Sequence, residues 1–257
     1  MVSFVKVAEG NVASMRNCSY DWAMKFTGRV LFLLAFSLPS LAQIVLPLVQ
    51  RNDALIWEPP LLLKFTDDSF SHPSVPKEMV ASLLLSDSRI LLEETQMDII
   101  QSKFGGEPGA RGDASESLRW LCLHGADDAG RWVLWLESGE MDGPYIGEFQ
   151  WQRVSNSASF DPRCAAQPAN TKIVLPINVK LGISQEEVLK VLGKPTWEKA
   201  NVLLYEHQHD EKIQGELFTS FNTVIIALRG GVVEAIDVMK TTSNWQAKIS
   251  LSHTVHE

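Results

Sequence analysis

Two short stretches of this chain carry apolar residues at helical spacing, and each is followed by runs that alternate as strands do. The first begins at Thr95-Gln-Met-Asp98, an N-cap with an acid three positions on. Ile99, Ile100 and Phe104 supply its apolar stripe, and Gly105-Gly106 stops it. Strands are then expected at Leu118 to His124, Arg131 to Glu137 and Tyr145 to Val154, with Asp- and Gly-rich turns between them. Ser155 to Thr171 has few large apolar residues and reads as a linker. The order then recurs. Lys172 to Lys180 alternates as a strand, Ser184-Gln-Glu-Glu187 is a full capping box, and Val188, Leu189, Val191 and Leu192 form the stripe. Gly193 and Pro195 end that helix. Strands follow at Val202 to His207, Leu217 to Leu228 and, across a turn at Arg229-Gly230-Gly231, Val232 to Met239.

This recurrence predicts an α+β fold of two tandem helix-plus-antiparallel-sheet units, each with two layers. Each short helix must lay its stripe on a sheet, since a helix of this length is unstable alone. The reverse side of each sheet is then expected to stay open to solvent or a partner. The first unit is expected over 43–154 and the second over 172–240, with 155–171 as linker and 241–257 as a polar tail. Pro-rich 43–76 is an irregular entry, and Lys77 to Leu85 suits a short helix or a strand equally.

The longest apolar run lies before all of this. Lys25 and Arg29 precede Val30 to Leu38, and Ser40-Leu41-Ala42 closes the run with small residues at the cleavage-type positions. A charged start, an apolar middle and a small-x-small end make a secretory signal peptide. The run is shorter than the roughly 20 apolar residues a bilayer span needs. A signal peptide is therefore expected over 1–42, with translation starting at Met24 and 1–23 a non-native extension. Gln43 stands where a lipoprotein would carry its lipidated Cys, so no lipid anchor is expected. The expected location is periplasmic or secreted.

Charge and cysteine content sharpen that picture. The formal net charge is −8. Loss of 1–42 removes four of 23 basic and two of 31 acidic side chains, leaving 19 and 29, a net of −10. Such a chain repels nucleic acid and anionic lipid and attracts basic surfaces. Of three cysteines, Cys18 leaves with the leader, and Cys122 and Cys164 remain as one expected disulfide.

The segment Gly182-Ile-Ser-Gln-Glu-Glu-Val-Leu-Lys-Val-Leu-Gly-Lys-Pro-Thr196, followed by Leu203-Leu-Tyr205, resembles the small outer-membrane lipoproteins of the β-barrel assembly machine, the SmpA/OmlA type. It is also similar to the tandem-repeat β-lactamase inhibitor proteins. The resemblance covers 172–240 well and the first half in outline. It implies a non-enzymatic protein that binds another protein of the envelope or secreted space through a sheet face or loops. The implied role is that of an inhibitor or an assembly accessory. The matching residues build helix and turn, so no partner-contacting residue carries over.

Candidate chemistry is sparse. Trp135, Tyr145, Phe149 and Trp151 are expected to form a partner-binding surface, since aromatic residues dominate interface hot spots. On strand alternation Tyr145, Phe149 and Trp151 share one face, and Glu148, Gln150 and Gln152 share the other. The alternative is a hydrolase whose site converges on His207 and His209, or on the Glu137, Glu140 and Asp142 turn. No nucleotide-binding, nucleophile-elbow or zinc-protease motif occurs. No catalytic residue, metal or cofactor is therefore expected, nor a nucleic-acid partner.

Overall fold

The structure is a computed structural model, and it describes residues 55–60, 80–113, 117–199, 201–213 and 215–244. The expected signal peptide, its extension and most of the tail lie outside the described residues. Twelve strands and two helices of eight residues each make up the described fold. In chain order they are β1 (Ser82–Leu85), β2 (Ser88–Leu91), α1 (Met97–Phe104), β3 (Gly109–Arg111), β4 (Leu118–Asp127) and β5 (Gly130–Gly139). After them come β6 (Glu148–Val154), β7 (Ala165–Ala166), β8 (Ile173–Val174), α2 (Gln185–Leu192) and β9 (Trp197–Lys199). Three long strands finish it, β10 (Val202–Ile213), β11 (Glu216–Arg229) and β12 (Val232–Ser243).

The expected pair of two-layer α+β units is not what forms. One large sheet runs β3-β4-β5-β6-β12-β11-β10-β9, antiparallel throughout, with β7 added parallel to β4. Its two halves are joined strand to strand, because β6 pairs with β12 from Gln152↔Ala235 to Glu148↔Met239. The fold is therefore mostly β. The physical reason is that β6 and β12 would otherwise each be an exposed edge of hydrogen-bonding groups, and pairing them removes both edges. The short helices add little area by comparison.

The first face of the sheet carries a single apolar core. Leu121, Leu134, Phe149 and Trp151 from one half merge with Tyr205, Val224, Ile236 and Val238 from the other. Met97 and Ile100 of α1, Val188 of α2 and a second, three-stranded sheet of order β2-β1-β8 cover it. Asn222 on β11 anchors that small sheet: its side chain accepts from the Val80 N–H at 3.1 Å and donates to the Val80 carbonyl at 2.5 Å.

The local signals are met unevenly. Ser184 caps α2, accepting from the Glu187 N–H at 3.2 Å while Glu187 accepts from the Ser184 N–H at 2.9 Å. The Tyr205 hydroxyl donates to the Gly193 carbonyl at 3.1 Å, tying the end of α2 to the sheet. The cap expected at Thr95 does not form. Gln96 precedes α1 without a side-chain cap, and Thr95 instead accepts from the Leu91 N–H at 2.9 Å, closing the turn after β2. The segment Lys172 to Lys180 yields only the two residues of β8, and these pair with β1 of the small sheet.

Cys122 on β4 and Cys164 beside β7 form a disulfide with Cα atoms 4.6 Å apart. It holds the 155–164 segment against the second face of the sheet. There Ile56, Trp57 and Phe160 pack over Trp120, Val133 and Trp135.

Candidate functional site: a buried acidic row and an open groove

The second face changes character at its centre. Strand alternation places Glu137 of β5, Glu148, Gln150 and Gln152 of β6, and Asp237 of β12 on this one face. Glu137 lies directly across from Glu148, and Asp237 directly across from Gln150. An apolar patch flanks the row on each side. One is the Trp120 and Trp135 cluster, and the other is Val202, Leu204, Ile225, Ala227 and Ala235. The row is enclosed: Glu137 and Gln152 are 1% exposed, Gln150 4% and Asp237 6%. Only Glu148, at the start of its strand, and its cross-strand neighbour Met239 are half-exposed.

Burial sets the protonation of this row. It pushes the Glu137 carboxyl well above the ordinary carboxylate range. The charge of Glu148 adds to that shift, and Arg111 on β3 opposes it. Asp237 is also pushed well up, first by burial and then by Glu148 and Glu137. Burial raises Glu148 as well, and hydrogen bonds from Gln150 and Asp237 hold that rise back. Of the two, Asp237 is raised further. The Gln150 amide donates to Glu148, at 3.1 Å. Arg111 is divided among other contacts, donating to the Pro59 carbonyl at 3.2 Å and lying 3.8 Å from the Glu58 carboxylate.

Hydrogen bonding in the row is incomplete. Glu137 Oε1, Gln150 Oε1, Asp237 Oδ1 and both polar atoms of the Gln152 amide are buried without partners. Natural interiors leave few such groups unmet. Among the described residues, no three His, Cys, Asp or Glu side chains are placed to hold a metal ion.

A second feature lies on the outer face of the small sheet. Leu84 of β1 and Val174 of β8 sit side by side, 37% and 48% exposed, with Arg89 of β2 on the other side of Leu84. Together with Ser82, Leu83, Leu175 and Pro176 they line a groove of about 280 Å³. Among the described strands β8 pairs only with β1, and no described strand pairs its other edge.

The aromatic residues expected to face a partner lie elsewhere. Trp135 is fully buried on the second face and donates its indole N–H to the Trp57 carbonyl at 3.0 Å. Phe149 and Trp151 are buried on the first face, within the main core. Tyr145 precedes β6, bridges to Gln96 and is 36% exposed. The four make no common surface. Of the acidic turn, Glu137 points into the row, Glu140 is exposed, and Asp142 accepts from the Gly139 N–H at 2.7 Å. His207 and His209 lie on one side of β10 with ring centres 6.4 Å apart. Asp210 projects from the opposite side and accepts from the Thr219 hydroxyl at 2.7 Å.

Sequence reasoning found the polar alternation of β6 but not the enclosure of those residues. The available signal was an acid inside each of two apolar strand runs, Glu137 after Trp132-Val-Leu-Trp-Leu136 and Asp237 within Val232 to Met239. No family model, curated protein or solved structure matches this chain.

Proposed function

We propose that this chain is an exported, non-catalytic binding protein that holds a segment of another protein of the envelope or secreted space against an open sheet face. The observation that carries this reading is the groove on the small sheet. Exposed Leu84 and Val174 form an apolar cross-strand pair beside an edge of β8 that no described strand pairs. An extended segment added to such an edge gains main-chain hydrogen bonds, and its alternate side chains enter the groove. The fold around the groove gives it a rigid floor, since Leu83, Leu85 and Ile90 are fully buried beneath it. The acidic balance of the chain favours a basic partner. The resemblance of the second half to envelope binding proteins supports the same role.

The test is a photo-crosslinking amino acid at position 84 of the full chain in an envelope extract. A defined crosslinked partner is expected, and Val174→Asp should abolish it without lowering the thermal midpoint. No crosslink, or one that Val174→Asp leaves intact, would overturn the reading. N-terminal sequencing of the processed protein is expected to begin at Gln43.

A further inference from the structure

We infer that the groove on the small sheet is occupied, within one molecule, by the chain's own residues 249–257, which add beside β8 as a further strand and yield to a partner that binds more tightly. This inference rests on the reading of the groove as a docking edge and names what regulates that edge. Residues 245–257 follow the last described residue. In their sequence Ile249, Leu251 and Val255 alternate with Ser250, Ser252 and Thr254. That is the pattern of a strand with one side covered and the other wet. No proline interrupts it, so every residue brings an N–H to an edge. Leu84 and Val174 offer the matching apolar surface. The charged residue lining the groove is Arg89, and Glu257 stands two positions after Val255, on the same side of an extended strand.

The described chain ends beside this same small sheet. Thr242, near the end of β12, donates its N–H and its hydroxyl to the Glu93 carboxylate, the hydroxyl at 2.7 Å. Glu93 follows β2 by two residues. Arg89 is four residues back along the chain from Glu93, at most about 14 Å away. From β2 the order β2-β1-β8 leads to β8 in two strand spacings, about 10 Å. Residues 245–257 span about 43 Å when extended, enough to cover both steps. A short tether of this kind holds its segment at an effective concentration in the millimolar range. A strand that binds weakly as a free peptide therefore fills the groove when attached, and a tighter partner still displaces it.

The experiment places the photo-crosslinking amino acid at position 84 of the purified full chain, with no other protein present. A crosslink to the tryptic peptide 249–257 of the same molecule is expected, in a yield that does not change on tenfold dilution. The double substitution Ile249→Ser and Leu251→Ser should remove it. A labelled synthetic peptide of residues 245–257 gives a second readout. The doubly substituted full chain should bind that peptide at least tenfold more tightly than the unaltered chain, whose own tail competes, and Val174→Asp should abolish the binding. A position-84 crosslink that never reaches 249–257, or one that forms only between two copies of the chain, overturns the inference. So does equal binding of the peptide by the unaltered and doubly substituted chains. A tail that stays clear of position 84 while an envelope extract still yields a partner refutes this inference and leaves the partner reading standing. A tail crosslink with no partner from the extract does the reverse.

Discussion

The two faces of the one large sheet are built from the same strands and obey different rules. On the first face, Phe149 and Trp151 of β6 are flanked by Leu134, Leu136, Ile236 and Val238, and the apolar contact is unbroken across the seam. On the second face, the alternate residues of that strand are Glu148, Gln150 and Gln152, and two more acids join them from β5 and β12. Both faces are buried at this point. Residues that give up hydration on the first face gain packing, whereas those on the second gain only part of their hydrogen bonding. The largest group of buried polar atoms without a partner falls in this row, although Trp120, Trp151, Arg153 and Ser243 each leave one as well.

The comparison is best broken from the first face. Phe149→Ala empties a fully buried position and is expected to cost about 3–5 kcal/mol, read from urea unfolding. The second face has its own staple. Replacing Cys122 and Cys164 with serine opens the 43-residue loop between them and should cost about 4 kcal/mol by the loop-entropy account. Its structural signature would be release of 155–164, seen as faster amide exchange there with the first-face core still protected.

The acidic row sharpens the contrast through pH. Glu137 and Asp237 have folded pKa values raised above those of the unfolded chain. Between the ordinary carboxylate range and those raised values the folded state holds more protons than the unfolded one. Stability therefore falls as pH rises through that window. The thermal midpoint is expected to be higher at pH 5 than at pH 8. Asp237→Asn should flatten that dependence and raise the midpoint at pH 8, whereas a first-face substitution should leave the slope alone. A steeper dependence in Asp237→Asn would refute the assignment. Smaller again, Ser184→Ala removes the side-chain cap of α2 and is expected to cost about 1 kcal/mol. Leu84→Asp, on the exposed outer face of the small sheet, should change stability by less than about 0.5 kcal/mol while removing partner capture.

What could be read from the sequence follows the range of the interactions concerned. The capping box at Ser184, the turn at Gly230-Gly231 and the glycine stops at Gly105 and Gly193 are each decided within a few residues, and each forms. The Cys122–Cys164 pair was legible because only two cysteines follow the expected leader, residues 1–42. The pairing of β6 with β12 was not, because nothing in either strand names its neighbour, and that pairing turns two expected units into one sheet. Tyr145 illustrates a boundary error. The strand starts three residues later, at Glu148, so alternation counted from Tyr145 assigned it to a face it does not share. The polar residues of β6 were visible as a set, yet period-two alternation reads the same for a solvated face and an enclosed one.

The seam between β6 and β12 also imposes an order on the birth of the molecule. Trp151 leaves the ribosome about 85 residues before Ile236, the position it faces. At ordinary rates of synthesis that interval is on the order of 4 to 17 seconds. Through it the first four strands of the large sheet carry a naked flank ending in Phe149 and Trp151. A nascent chain with such a flank is a substrate for holding chaperones, and export before folding would let the flank find β12 instead of a neighbour's copy of itself.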